Sequence, residues 1–346
     1  MRRIDWLIVL LAASVAAHVA LLALLPDDSR LVETLYARGL YPVLGPVVAF
    51  LPSLVPFSIA LTLLVGLAIG LPAYLGTLLV RWCRHRLAGR TAIEHAVLTV
   101  VAVLACLFHS YYLFWGYNYF RPPLEARLSL ETGPISAARQ QAYSRRFIEE
   151  ALATRVEVPD WDFDELDRLV DRAIADALKT LEQRETPVVS PLKGGLGTGL
   201  LAVFGTRGVI SANTLEAHVD PDLPAFQLPF TAAHEKAHLA GFARERDANF
   251  VAWLALTRAE DPRLRYSGYF GVAGYFLSSD LYPLAGPLLE DRAELRRYTS
   301  ARVSEPVQRT GRRAYNSYLR ANRMPSGTGD YSEVSKLILA WELRRG

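Results

Sequence analysis

Twenty consecutive residues, Trp6 to Leu25, carry no charged side chain and only Ser14 and His18 as polar interruptions. A helix needs about 20 such residues to cross the hydrocarbon core of a bilayer, so the segment reads as a membrane span. Its apolar core exceeds the roughly 7–15 residues of a cleaved signal peptide, and further spans follow it. The second lies within Val55 to Val80 and contains Gly66, Gly70, Pro72 and Gly76, residues better tolerated in a bilayer helix than in water. The third runs from about Ala96 to Trp115. Between the first two, Gly39 to Leu54 is apolar but broken by Pro42, Pro46 and Pro52, and is expected to be interfacial or re-entrant.

Positive residues near the ends of spans are retained on the cytoplasmic side. Arg2 and Arg3 precede the first span, and Arg81, Arg84, Arg86 and Arg90 crowd the loop between the second and third. The loop after the first span holds only Arg30 and Arg38. This bias predicts a multi-pass protein of the cell (inner) membrane with a cytoplasmic N-terminus. Three spans that begin inside end outside, so residues 1–119 form the membrane domain and residues 120–346 an extracytoplasmic one, with Trp115, Tyr117, Tyr119 and Phe120 as an aromatic belt.

Composition narrows the function classes. Hydrophobic residues make up 51% of the 346, high for a purely soluble chain. The net charge is only +3 and the basic residues are interspersed with acids, which gives nucleic acid no footprint. Only two cysteines occur, Cys83 and Cys106, both in or beside apolar segments, so the polar part has neither a disulfide framework nor a thiolate site. Any metal there must be held by histidine and carboxylate.

Beyond Pro122 the periodicity is mostly helical, over Ile135 to Thr154, Phe163 to Arg184 and a series from Phe230 onward. Asp162 to Glu165 resembles a helix start, and Leu166, Leu169, Ile174 and Leu178 form its apolar stripe. Between Pro191 and Pro224 the pattern changes to short apolar runs, with Gly199 to Phe204 and Gly208 to Ser211 flanking a Gly205-Thr206-Arg207 turn. A short β-hairpin is expected, with an edge strand on which an extended peptide can pair. The GGLGTG run has no Lys-Ser/Thr pair after it and opens no helix, so it is linker rather than phosphate loop. The fold class is therefore mainly α, with N-terminal transmembrane helices followed by a mostly helical domain carrying a short hairpin.

Residues 234–238 read HEKAH in an apolar frame, preceded by Pro229, which suits a helix start. Positions four apart share a helix face, so His234 and His238 present both imidazoles to one metal while Glu235 reaches the metal's water. This is the arrangement zinc hydrolases use. A catalytic zinc needs a third protein ligand, and no histidine follows His238. On a straight helix Glu245 would lie roughly 10 Å along the axis from His238, too far to share an ion. Gly241 offers a left-handed stop after which the chain can reverse and return a carboxylate from a second helix. Glu245 is the first choice and Asp247 the second, with an exposed RERD turn as the plain alternative. His218, two residues after Glu216, is either an alternative ligand or a loop residue. Tyr266, Tyr269 and Arg265 are candidate donors to a tetrahedral oxyanion, or packing residues.

HEKAH with a later glutamate looks like the gluzincin branch of the zincin metallopeptidases. The run Glu245, Arg246, Asp247, Ala248, Asn249 is similar to that branch's Glu-x-x-Ala-Asp second-helix motif, with Asn in the last place and a shorter spacing than its commonest members. HExxHxxG is shared with the metzincins, but Arg244 stands where their third histidine would be. The longer pattern WGYNYFR, EAHVD, PFTAAHEKAH, GFARERDANF and YSGYF resembles an uncharacterised bacterial family of membrane proteins classed as a domain of unknown function. Together these resemblances imply a zincin-like domain that binds Zn2+ through His234, His238 and Glu245. They also imply hydrolysis of a peptide or protein substrate, with Glu235 as general base and Tyr266 assisting. A catalytically inactive zincin-fold membrane sensor is the alternative. A structural or channel protein using the intramembrane His18, His95 and His109 is a third reading.

Overall fold

The computed structural model describes residues 3–133, 135–181, 190–195, 206–302, 305–322 and 333–345. The fold is mostly helical with one two-stranded antiparallel hairpin. Helix α1 spans Arg3–Leu24, and a π-helical stretch, Val32–Leu40, runs directly into α2, Tyr41–Ser53. Helices α3, Ile59–Cys83, and α4, Gly89–Phe114, complete the apolar portion. A 3-10 turn at Gly116–Phe120 leads into the polar portion: α5 (Leu124–Leu128), α6 (Ala137–Ala153), α7 (Phe163–Thr180), β1 (Gly208–Ser211) and β2 (Glu216–Val219). Then follow α8 (Leu228–Leu239), α9 (Glu245–Thr257), α10 (Pro262–Ala273), α11 (Gly286–Arg302), α12 (Glu305–Ala321) and α13 (Val334–Arg345).

Four segments are long and apolar enough to cross a membrane: Ile4–Leu24, Val32–Ser53, Ile59–Cys83 and Gly89–Phe114. These four helices fit a membrane protein. The second is the proline-broken segment expected at the interface, and it is helical throughout. Pro42 falls where the π-helical stretch passes into α2, and Pro46 and Pro52 lie inside α2; in a bilayer, where water is scarce, staying helical keeps the remaining backbone groups paired. Both of its ends touch the polar portion. Just ahead of it the Ser29 amide donates to the Phe120 carbonyl at 2.8 Å, and at its far end Lys193 Nζ donates to the Pro52 carbonyl at 2.8 Å.

The polar portion is built round α8 and α9, which are buried on nearly every face. Ala232, Ala233, Ala237, Leu239, Ala248, Phe250, Val251, Ala252 and Leu254 are all sequestered. A helix without a polar stripe has to be enclosed, and α7, α9, α10 and β2 pack around α8. Helix α7 begins as expected, with the Asp162 carboxylate accepting from the Glu165 amide at 2.7 Å, and it lays Leu166, Val170, Ile174 and Leu178 against that centre. Its outward Asp167 and Asp171 clamp Lys236 of α8, Asp167 at 2.6 Å.

The short hairpin is present, with β2 as a strand of it. Gly208–Ser211 pairs with Glu216–Val219, Gly208 facing Val219 and Ser211 facing Glu216, while 199–204 lie outside the described residues. Alternating apolar and glycine residues mark strands but do not say which run follows a strand into its hairpin, and the turn 212–215 carries no Asn-Gly signal. Leu215 in that turn has a φ of 54°.

Contacts across residue 119 are extensive. The Glu216 carboxylate accepts from the Ile59 and Ala60 amides at 2.9 and 2.7 Å, an acid placed on the positive N-terminus of α3. Arg121 forms a buried ion pair with Glu33 at 2.7 Å. The apolar and polar portions therefore share one continuous buried core.

Candidate metal centre

Helix α8 starts on Leu228, and the absent N–H of Pro229, its second residue, falls in the first turn. It stops at Gly241, which has a φ of +88°, a conformation costly for any residue with a Cβ. The Gly241 amide donates to the His238 carbonyl at 2.9 Å and the Phe242 amide to the Ala237 carbonyl at 3.2 Å, the paired bonds of a Schellman motif. The remaining carbonyls at this end are taken by residues from the membrane-proximal segments. Trp115 Nε1 donates to His238 at 2.8 Å, Tyr41 Oη to Leu239 at 2.6 Å and Arg121 Nη1 to Gly241 at 3.0 Å.

The reversal at Gly241 returns α9 alongside α8, and with it Glu245. His234, His238 and Glu245 converge so that one ligand atom from each lies within 4.8 Å of the others. His234 Nε2 is 3.0 Å from His238 Nε2 and 3.2 Å from Glu245 Oε2, and His238 Nε2 is 3.7 Å from Glu245 Oε1. The outer nitrogens are engaged elsewhere. His234 Nδ1 meets Asn249 Oδ1 at 3.1 Å, and His238 Nδ1 meets the Phe242 carbonyl at 2.7 Å. Both partners accept, so both imidazoles donate from Nδ1 and turn their Nε2 lone pairs inward.

Two inward lone pairs and a carboxylate repel one another unless a cation sits between them. Metal–ligand bonds of about 2.0–2.1 Å at a tetrahedral angle set the ligand atoms about 3.3 Å apart, close to the 3.0 and 3.2 Å that separate His234 Nε2 from His238 Nε2 and from Glu245 Oε2. The donor set fits Zn2+: two imidazoles, one carboxylate and no thiolate. Electrostatics follow the same geometry. Burial disfavours a charge on His234, but the hydrogen bond and charge of Glu245 outweigh it and raise the pKa of the ring. Burial and the neighbouring His234 push His238 down to about 4. Glu235 is pushed up to about 8, chiefly by burial and further by Glu245, with His234 opposing.

Glu235 points to β1 rather than to the ligand cluster's far side. A Cβ built on Gly208 would fall 2.5 Å from Glu235 Oε1, so the strand's first residue lies directly against that carboxylate and admits only glycine without displacement. Asp247, the second choice as ligand, is two positions beyond Glu245 and thus roughly 200° round the helix. It is buried beside Arg246, with Nε at 3.4 Å, and does not join the cluster. His218 is not a loop residue: it is buried in β2, with Nε2 2.8 Å from Ser58 Oγ. Tyr266 is fully buried with its hydroxyl on Asp291, which also binds Arg155 at 2.9 Å. Tyr269 donates to Glu150 at 3.0 Å, and Arg265 to the Ala259 and Glu260 carbonyls at 3.0 and 2.6 Å. The three expected oxyanion donors are thus committed to other partners.

A model of the family described as Protein of unknown function (DUF3810) matches residues 36–339. The chain belongs to this family. The DUF3810 match spans Tyr41, Trp115 and Arg121 as well as α8 and α9, and so takes in the HEKAH helix together with the residues that cap it. No curated protein and no solved structure matches.

Several residues of this DUF3810 site carried no sequence signal. Tyr275 is held near Glu245, whose charge, after burial, pushes the phenol up to about 12, yet nothing in its spacing from HEKAH marks it. The Phe242 carbonyl acts through backbone alone. Asn249 had a signal, since it stands four positions after Glu245 and therefore on the same face of α9.

Proposed function

We propose that this protein is a membrane-anchored zinc-dependent peptidase, in which His234, His238 and Glu245 hold the metal and Glu235 is the general base. The observation that carries the reading is the inward convergence of two imidazole lone pairs and a carboxylate, with both outer nitrogens fixed by Asn249 and Phe242. Zn2+ in this position would supply Lewis acidity, polarising a scissile carbonyl and acidifying a water. The Glu235 carboxylate would take a proton from the attacking water and deliver it to the leaving amide nitrogen. Gly208 keeps that carboxylate in place, and β1, paired on one side among the described residues, offers backbone to an extended peptide beside it.

Zinc analysis of the full chain, stripped with chelator and reloaded, tests the site. One ion per chain is expected, lost in His234→Ala, His238→Ala and Glu245→Ala proteins of unchanged circular dichroism and kept in Glu235→Gln. A folded wild type that takes up no zinc refutes the assignment. Hydrolysis of a peptide library by the wild type and not by Glu235→Gln would then identify the activity.

The same end of α8 that carries His238 is capped by Trp115 and Tyr41, and this tie to the membrane segments favours a second reading, a zinc-binding sensor that signals through its spans. Stoichiometric zinc without hydrolysis of any peptide by the wild type would select it.

We also infer three crossings, by α1, α3 and α4. The C-terminal ends of α1 and α4, the N-terminus of α3 and both ends of α2 all lie beside the polar portion, whereas Arg84 and Arg86 lie at the opposite end of α3 and α4. The basic end faces the cytoplasm by the positive-inside rule, so residues 120–346 lie outside. Reporter fusions at the C-terminus read this directly, and cytoplasmic activity there overturns it.

A further inference from the structure

A cavity of about 300 Å3 is walled by Arg207, Arg292 and Arg296 together with Gln227 and Tyr275. None of its lining residues is acidic. Three of its lining residues connect it to the candidate centre. Arg207 directly precedes Gly208, which faces the Glu235 carboxylate, and Tyr275 lies within electrostatic reach of both Glu245 and Arg207. Gly271, also in the wall, rests on the ring of Phe230 from the metal helix.

Arg292 and Arg296 have no carboxylate partner among the described residues. Arg292 and Arg296 stand one turn apart on α11, a like-charge spacing that destabilises a helix. Arg292 is half-buried, and its charge is disfavoured first by lost solvation and then by Arg296. Its remaining electrostatic neighbours are Tyr275 and Tyr282. Guanidinium groups held together at the cost of solvation make an anion site. Their planar forks match a carboxylate, which accepts two parallel hydrogen bonds.

We propose that this cavity receives a carboxylate of the peptide whose scissile bond lies at the metal centre, with Arg292 as its principal partner and Arg207 and Arg296 reinforcing it. The carboxylate belongs either to the peptide's C-terminus, which makes the enzyme a carboxypeptidase, or to an acidic side chain. The peptide nature of the ligand rests on the peptidase reading above; the cavity's demand for an anion does not.

The test uses the full-length, zinc-loaded Glu235→Gln protein in detergent and three dye-labelled hexapeptides of alanine and leucine. One ends in a free carboxylate, one is its C-terminal amide, and one is an amide carrying a single glutamate. Fluorescence anisotropy is expected to give a dissociation constant about tenfold or more lower for at least one carboxylate peptide than for the plain amide. Tighter binding of the free acid assigns the C-terminus, and tighter binding of the glutamate peptide assigns a side chain. Adding Arg292→Gln should bring all three within about twofold of one another. Arg296→Gln, at an exposed position, should narrow the difference in the same direction and serves where the first substitution impairs folding. Equal binding of all three peptides, absence of binding by any of them, or a preference that survives both substitutions overturns the proposal. Wild type that hydrolyses all three peptides equally removes the carboxylate assignment and leaves the peptidase reading standing. Carboxylate-selective binding without hydrolysis does the reverse.

Discussion

Asn249→Ala is the sharpest test of how the centre is held. Asn249 touches no metal; its Oδ1 accepts from His234 Nδ1 at 3.1 Å and so fixes both the tautomer and the rotation of that ring. Losing an ordinary neutral hydrogen bond costs about 0.5–1.5 kcal/mol, which is about a 2- to 13-fold change in affinity. Removing the partner that orients a metal-binding histidine typically costs about 10- to 100-fold, because the ring then spends time in the wrong tautomer and orientation. The expected loss of zinc affinity is therefore about 10- to 100-fold, or about 1.4–2.8 kcal/mol. Alanine is the better helix former in the middle of α9, so the fold should survive. His238 is an internal control, since its Nδ1 partner is the Phe242 carbonyl and is untouched. Competition against a chromophoric chelator on the full chain measures the change, and Asn249→Asp should restore or exceed wild-type affinity. Unchanged affinity in a folded Asn249→Ala protein would refute the orienting role and weaken the whole centre.

Other perturbations probe different parts of the same geometry. In Gly208→Ala the new methyl would stand 2.5 Å from Glu235 Oε1 and needs about 3.4 Å, so the carboxylate must move about 0.9 Å. Zinc content should hold while turnover of any identified peptide falls about 100-fold. Gly241→Ala places a Cβ at a φ of +88° and is expected to cost about 1–2 kcal/mol, read as a lower melting temperature with weakened zinc retention. Zinc affinity should rise with pH through about 5 to 8, because protons compete for His234, whose ring is held more basic by Glu245 despite its burial. A flat profile would mean that His234 is not a ligand. A chain begun after Tyr119 loses Trp115, Tyr41 and Glu33, which cap α8 and pair with Arg121; it is expected to bind zinc more weakly than the full chain and to aggregate.

The membrane helices, the HEKAH pair and the stop at Gly241 were all legible in the sequence, because each is a local matter. A run of apolar residues, a spacing of four on one helix and a glycine after the last turn act within a few residues of themselves. The mostly helical fold with a short hairpin followed from the same periodicities. The return of Glu245 could be argued from Gly241, but the choice between it and Asp247 belongs to the crossing of α8 with α9, which decides the face of the second helix that looks inward.

Where side chains met partners distant in sequence, the residues alone gave no answer. Tyr266 goes to Asp291 and His218 to Ser58, pairings separated by 25 and 160 positions, and β1 pairs with Glu216–Val219, a run not expected as a strand. The basic cavity is assembled from Arg207 ahead of β1 and Arg292 on α11, and the cap of α8 from Trp115 and Tyr41 at the ends of apolar helices. Local sequence determined which segments are helices, which of them are apolar enough for a bilayer and which helix presents two imidazoles. Only the tertiary packing decided which buried polar groups satisfy one another, because a hydrogen bond in a dry core is chosen by what the whole chain brings within reach.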